Sequence, residues 1–280
     1  MRPTSAADPH VVSGAVPAAF SVKLLPLGDT AWTVEYGDRI DPALYARVQG
    51  LAVALAARRA EAAATPLAAI VDVVPTFRSL TVHYDPLRVD GADLGEALLA
   101  LAANADTATS AGRAWRIPVC FDTDLAPDLD DLATAKAMTR EQVIELLCGA
   151  TFQVYMIGFM PGFPYMGGLP AALEMPRLSS PRKAVPARSL AIAGAMCAVY
   201  PWESPGGWRL LGRTPLPFFS AQERAAPALL AAGDRVRWQA ITRAEFDALE
   251  AASAAGTLAR ERFLCAEDDG GKEAADVRSA

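Results

Sequence analysis

The chain has 280 residues, with 26 Lys or Arg, 32 Asp or Glu and two His, for a formal net charge of −6. That length suits two domains at ~150 residues each, and the acidic balance argues against a nucleic-acid binder, which carries a basic face. His10 lies in a Pro/Ala/Ser-rich leader, so multi-histidine metal sites are excluded and any Ser-His-Asp or Cys-His nucleophile system would rest on His83 alone.

Residues 1–20 read as a disordered leader that lacks the basic start and apolar core of a signal peptide. An N-terminal α/β domain is expected over 21–112. In SVKLLPLGDTAWTVEYG, apolar alternation around Gly28-Asp29 predicts one or two strands. A helix follows, with Asp41 as N-cap, Pro42 at its first position, and Leu44, Val48, Leu51 and Leu55 on one face. AIVDVVPTFRSLTVHYD reads as two strands interrupted at Pro75. Alternation puts Leu80, Val82 and Tyr84 on one face and His83 on the other. GADLGEALLALAAN is a second amphipathic helix and RAWRIPVCF a further strand. This β-α-β-β-α-β order is the split βαβ pattern of a ferredoxin-like sandwich.

The second domain is expected over 113–241. Asp128–Ala137 and Thr139–Cys148 read as helices, with Thr139 and Gln142 as a capping box. Asp128, Asp130 and Asp131 suit the charge preference of a helix start better than a metal site. Leu146–Leu173 carries no formal charge, but its three prolines, with Gly158, Gly162, Gly167 and Gly168 among them, forbid a membrane-spanning helix. A buried strand followed by a long ordered loop is expected there. Beyond it, FQVYMIGF, SLAIAGAMCAVYP, WRLLGRTP and DRVRWQAI are short apolar runs between Pro and Gly, the texture of a β-barrel. Residues 242–280 read as a helical appendage over Thr242–Phe263 and a disordered tail. The fold class is therefore α+β. Of the apolar fraction, 58 residues are alanine, so it gives no membrane signal. Cys120, Cys148, Cys197 and Cys265 lie far apart, as free thiols in a reducing cytoplasm would.

Chemistry concentrates in about 158–217. Between Glu174 and Pro215, Arg177, Arg182, Lys183, Arg188, Arg209 and Arg213 face only Glu174 and Glu203, a local excess of +4. Arg forks suit carboxylates and phosphates, and Gly allows close backbone approach, so a small anionic ligand is expected. Barrel loops held by Arg–carbonyl bonds would give the same pattern. No P-loop or GxGxxG occurs in the segment. Glu203, isolated in PWESPGGW, is a candidate general acid or base whose pKa burial would raise, or else a carboxylate paired with a nearby Arg. Ser204 lacks a nucleophile elbow. Cys197 reads as a buried strand thiol. Arg78, at a strand turn, either reaches an interface or is solvated.

The strings LGDTAWTVEYGDRIDP, VPTFRSLTVHYDP, IPVCF, VYMIGFMPGFPYMGGLP, SPRKAVP, YPWESPGGWRLLGRTPLPFF and AAGDRVRW occur in that order over 24–241. They resemble the family of the bacterial 5-oxoprolinase B subunit, also called allophanate hydrolase subunit 1 and including Kip-type kinase inhibitors. The resemblance implies an α/β domain followed by a cyclophilin-like β-barrel. It implies an ATP-dependent hydrolase opening 5-oxoproline to glutamate, possessing no metal motif of its own beyond any Mg that accompanies ATP. Partners would be separate C-type and A-type polypeptides of the same enzyme, with no nucleic acid and no membrane. A histidine-kinase inhibitor, or a carboxyltransferase component of a biotin-dependent urea/allophanate-type enzyme, is the alternative. Motif match carries over Glu203 and Arg213 as catalytic, and Gly162, Phe163, Tyr165, Arg182, Ser204, Gly206, Gly207, Trp208 and Thr214 as substrate- or nucleotide-binding, with Pro161 and Pro186 alongside. One stretch departs. Relatives read close to GSVGIAGGQTGIYP where this chain has RSLAIAGAMCAVYP, which replaces glycines by Arg188, Ala191, Ala195 and Ala198 and a Gln-Thr pair by Met196-Cys197. That removes hydrogen-bonding groups and restricts backbone approach.

Overall fold

A computed structural model of the chain describes residues 22–61, 65–105 and 112–265; the expected leader and tail lie outside the described residues. Strands β1 (Lys23–Pro26) and β2 (Ala31–Glu35) form a hairpin, and α1 (Pro42–Glu61) follows. Asp41 caps it as expected, its Oδ1 accepting from the Ala43 amide at 2.8 Å. After β3 (Ile70–Pro75) and β4 (Ser79–Tyr84), α2 (Gly91–Asn104) starts on the Asp90 side chain. The antiparallel sheet runs β1-β2-β4-β3. Its buried face carries Leu80, Val82 and Tyr84 against Leu44, Val48 and Leu51 of α1, and His83 lies on the other face. Arg78 donates to Glu35 Oε2 at 2.7 Å and to the Gly37 carbonyl, so it ties the sheet's own turns together.

The strand over Ala114–Cys120, β5, does not join this sheet. The β1–β2 hairpin supplies the fourth strand instead. β5 runs parallel to β13 (Arg235–Ile241) along its whole length, which sends Trp115, Ile117 and Val119 into a different core. Asp234 seals the start of that pair. It is buried and accepts from the Arg113 amide (2.9 Å), Arg113 Nη2 (2.8 Å), Trp115 Nε1 (3.0 Å) and the Ala231 amide (3.0 Å). Pro118 sits mid-strand opposite Gln239 of β13, at a position that β12 does not pair.

Helices α3 (Leu129–Ala135) and α4 (Arg140–Gly149) come next, and α4 carries the expected Thr139–Gln142 capping box. Then come β6 (Phe152–Ile157), β7 (Pro164–Gly167), β8 (Arg182–Val185), β9 (Ser189–Ala193), β10 (Met196–Val199), β11 (Ser204–Gly206) and β12 (Arg209–Arg213). Seven strands close a barrel in the order β10-β7-β6-β13-β5-β12-β9. The apolar run SLAIAGAMCAVYP forms the β9–β10 hairpin, turning at Gly194 with φ 56°. The uncharged segment resolves into β6, a loop and β7. No helix among the described residues is long and apolar enough to cross a membrane.

A two-stranded ribbon, β8 with β11, lies outside the barrel. Under it Phe163, Val185, Ala191, Ala198, Tyr200 and Trp208 form a second apolar cluster. Helix α5 (Arg243–Ala254) begins at a Thr242–Glu245 capping box and seats Phe246 against Cys120 and Leu125. The expected helix to Phe263 stops earlier because the chain turns left-handed at Gly256 (φ 68°); only a 3₁₀ turn, Arg260–Phe263, follows.

Candidate functional site

The motif-bearing loops meet at one end of the barrel. Val199 pairs with Leu190, Arg213 with Ser189, and Ile157 with Pro164. These registers bring together the loop 158–163, the corner 186–188, the turn 200–203 and the segment 214–219. Gly162 fixes one junction. It is left-handed (φ 78°), and a Cβ there would lie 2.7 Å from the Phe218 carbonyl oxygen and 2.8 Å from Phe219 Cβ. Only glycine fits both the backbone angle and the space. At a second junction the Trp202 ring lies 5.7 Å from that of Phe219.

The aromatic members form one connected set. Phe163 lies 4.9 Å from Tyr165, 5.1 Å from Tyr200 and 5.9 Å from Trp208 between ring centres. Phe77, from the β3–β4 turn, reaches in from the first sheet to Tyr155 (5.7 Å) and Tyr165 (5.8 Å). Tyr45 of α1 adds a hydroxyl donated to the Val154 carbonyl at 2.8 Å. The sheet and barrel therefore contact each other beside the site. Burial pushes the Tyr165 and Tyr200 hydroxyls above their ordinary pKa, and the Arg177 guanidinium, 5.7 Å over the Trp208 ring, opposes this. Gly206 gives Tyr200 room, since a Cβ there would overlap its hydroxyl oxygen. Gly207 is less crowded and accepts from the Leu178 amide at 2.7 Å.

Arg182 and Arg213, carried over as binding and catalytic residues, do not converge. Arg182 Nη2 donates to Asp128 Oδ1 at 2.5 Å, and Asp128 Oδ2 accepts from the Leu210 amide at 2.6 Å. Asp128 is 3% exposed. Arg182 is thus held in a structural ion pair near the start of β12. Arg213 stands at that strand's other end, roughly 10 Å from Leu210 at ~3.3 Å per residue. Asp128 makes no side-chain cap on α3, so its charge serves Arg182 and Leu210 and not the helix start. A sequence separation of 54 residues hid this pairing.

Arg213 is half-buried, and its Nε is buried with no hydrogen-bond partner. Burial, then the neighbouring Arg188 charge, lowers its pKa, against the pull of Glu250 and Asp124. Thr214, fully buried, is a corner post: its amide donates to the Arg188 carbonyl at 3.0 Å and its Oγ1 accepts from the Leu216 amide at 3.2 Å. Glu203 is exposed and joins no ion pair among the described residues, so neither expected state, buried acid or paired carboxylate, is found. Ser204, beside it, has a buried Oγ without a partner.

In the departing stretch the replacements point two ways. Cys197 is fully buried in the barrel core, where burial raises its pKa. Ala191, Ala198 and Met196 face the aromatic cluster and enlarge its apolar wall. Sequence reasoning missed Phe159 as well. It is left-handed at φ 67°, 67% exposed and edge-on to Phe163 at 5.4 Å. A bulky side chain in that backbone region is strained, and nothing in the sequence marks it.

Residues 22–230 match the family described as carboxyltransferase domain, subdomain C and D. The chain is 36% identical over 236 residues to the 5-oxoprolinase B subunit of Bacillus subtilis, covering 79% of this chain and 94% of that protein. It is 42% identical over 169 residues to the 5-oxoprolinase B subunit of Haemophilus influenzae, covering 60% and 78%. Among solved structures, TTHA0988 superposes with a TM-score of 0.65 at 32% identity over 76% of this chain; the chain spans 40% of that protein's length. Urea carboxylase of Kluyveromyces lactis shares the fold, with a TM-score of 0.69 at 20% identity over 85% of this chain and 23% of that one. The chain belongs to the carboxyltransferase domain, subdomain C and D, family, with 5-oxoprolinase B subunits among its relatives.

Proposed function

We propose that the chain is the B-type subunit of a cytoplasmic 5-oxoprolinase that opens 5-oxoproline to glutamate with ATP, together with separate C-type and A-type subunits. The observation that carries this reading is the match to 94% of the Bacillus subtilis protein at 36% identity. The relatives' names favour it over the kinase-inhibitor and biotin-carboxyltransferase readings.

A five-membered lactam is resonance-stabilised, so its hydrolysis needs a driving reaction. ATP, when bound, supplies that drive and a phosphoryl group for the amide oxygen. The buried, unpartnered Nε of Arg213 fits an anionic group of this kind. Arg213 neutralises oxyanion charge, which a half-buried guanidinium does better than one in water. Glu203, exposed at the same rim, orients or deprotonates the attacking water. Tyr165, the partly exposed ring backed by buried Phe163 and Trp208, gives the lactam ring an apolar seat. Arg182 holds the Trp208 carbonyl directly and Leu210 through Asp128, and takes no part in the charge chemistry.

The test is ATP-dependent release of glutamate from 5-oxoproline by the complex reconstituted with its C-type and A-type subunits. Glu203→Gln and Arg213→Ala should each lower kcat/KM by at least about tenfold, as the loss of one positioned acid-base or charge-stabilising group does. Full activity in both variants would sink the assignment.

A further inference from the structure

We propose that Arg188 and Arg213 together form a site for a small oxyanion, a carboxylate or a phosphoryl group, and that the Glu250 carboxylate occupies the Arg188 half of it until the anion arrives. The proposal rests on reading this barrel end as the ligand site, and it gives a role to Arg188, which stands where relatives carry glycine.

The two arginines are held side by side by the backbone. Arg213 ends β12 opposite Ser189, and the next amide, Thr214, donates to the Arg188 carbonyl at 3.0 Å. The Arg188 amide in turn donates to the Tyr200 carbonyl at 2.5 Å. Between those two bonds Arg188 is left-handed, with φ 66°. An arginine is strained there where a glycine would not be, so its side chain must offset that strain. The side chain donates Nη1 to the Pro215 carbonyl at 3.0 Å and Nη2 to Glu250 Oε1.

The surrounding carboxylates are all taken. Asp124 is held by Arg243 at 2.8 and 3.1 Å, and Asp247 by the same arginine at 3.0 Å. Glu250 is held by Arg188. The Arg213 guanidinium feels the charges of Glu250 and Asp124 and has a buried Nε, yet its side chain makes no hydrogen bond among the described residues. A buried donor without an acceptor is costly, and the arrangement is completed by an acceptor from outside. Fork-shaped guanidinium donors select planar or tetrahedral oxyanions. Glu250 is the movable part. Its side chain is 41% exposed, whereas α5 stays seated through buried Phe246 and the Arg243–Asp124 pair. The carboxylate can therefore swing into solvent and free Arg188 without unseating the helix.

The experiment titrates the full chain with inorganic phosphate and, separately, with 5-oxoproline, by calorimetry at low ionic strength. Removing a partly exposed competing carboxylate is worth a few-fold in affinity. Glu250→Gln should therefore bind about two- to fivefold more tightly than the unaltered chain. Arg213→Ala should lose binding, and Arg188→Gly should weaken it about tenfold, the scale of one charge-assisted fork. Arg188→Lys keeps the charge and loses the fork, so an intermediate value supports the site even if Arg188→Gly fails to fold, which circular dichroism would show. The arm whose affinity follows both arginines identifies the ligand as phosphoryl or carboxylate. Equal or weaker binding by Glu250→Gln, or unaltered binding by both Arg188 variants, overturns the proposal. Anion binding that tracks both arginines, beside ring opening indifferent to Arg213→Ala, supports this site and overturns instead the role given to Arg213 in hydrolysis.

Discussion

Replacing Asp128 by Ala separates a structural from a chemical role for Arg182. Two losses follow from the geometry. The Leu210 amide, at 2.6 Å from Asp128 Oδ2, becomes a buried donor without an acceptor, which costs about 1–3 kcal/mol. Arg182 loses its carboxylate at 2.5 Å. Breaking a fully buried pair costs about 3–5 kcal/mol, but the Arg182 side chain is 28% exposed and water recovers part of that. We therefore expect Asp128→Ala to lose about 3–4 kcal/mol, or a fall of roughly 6–16 °C in Tm for a cooperative unit of this size. Arg182→Ala keeps the Leu210 bond and strands a buried carboxylate, so about 2–3 kcal/mol is expected. The double variant should show coupling of about 1–3 kcal/mol in a cycle measured by urea unfolding. A loss under about 1 kcal/mol for Asp128→Ala would refute this reasoning. So would an Arg182→Ala chain of unchanged stability that has lost anion affinity as completely as Arg213→Ala.

Three further outcomes are expected. Gly162→Ala forces a Cβ into the Phe218 carbonyl at a left-handed position, so it should destabilise by about 1–3 kcal/mol and loosen the 158–163 loop; unchanged limited proteolysis and urea midpoint would contradict it. Tyr36 is almost fully buried and burial raises its pKa from 10.0 to about 12. The unfolded chain gives up this proton first, so the stabilisation is intact below pH 10 and is lost as pH rises towards 12; Tyr36→Phe should flatten the alkaline limb of stability against pH, and an identical limb would count against burial as the cause. Burial raises the Cys120, Cys148 and Cys197 thiols and two of them, Cys120 and Cys197, are fully buried. Iodoacetamide at pH 8 should therefore modify Cys265 well before Cys120 or Cys197, with peptide mass spectrometry as the readout; early labelling of Cys197 would mean that the barrel core is open.

Local physics was well written in the chain. The Asp41 cap, the Thr139–Gln142 box and the alternation over Leu80–Tyr84 depend on residues within a few positions of one another, and all were legible. The destination of β5 was not. Trp115, Ile117 and Val119 alternate as well for one sheet as for another, and the strand that claims them lies far along the chain. The site shows the same division. Gly/Pro/Arg-rich loops were recognisable as the place for a ligand, and Gly162 and Gly206 carry the close approaches that such loops need. Which arginine is free to meet an anion depended on carboxylates from distant elements: Asp128 before α3 claims Arg182, and Glu250 on α5 claims Arg188. Pairings of that kind leave no periodic trace.

The long-range closure of the barrel also sets the order in which the molecule can be built. Arg113 and Asp234 are 121 residues apart, yet the β5–β13 pair starts at their contact. Bringing such ends together costs on the order of 4 kcal/mol in chain entropy before any ladder bond forms. The β1–β4 sheet and its helices need no residue beyond 105, so on the ribosome they can assemble while the barrel strands are still emerging. Until Arg235–Ile241 is synthesised, β5 and β6 lack their common neighbour, and Trp115 and Phe152 stay open to water. Barrel formation is therefore the slow, aggregation-exposed stage of folding, and shortening the chain before β13 should leave a folded sheet attached to an uncollapsed remainder.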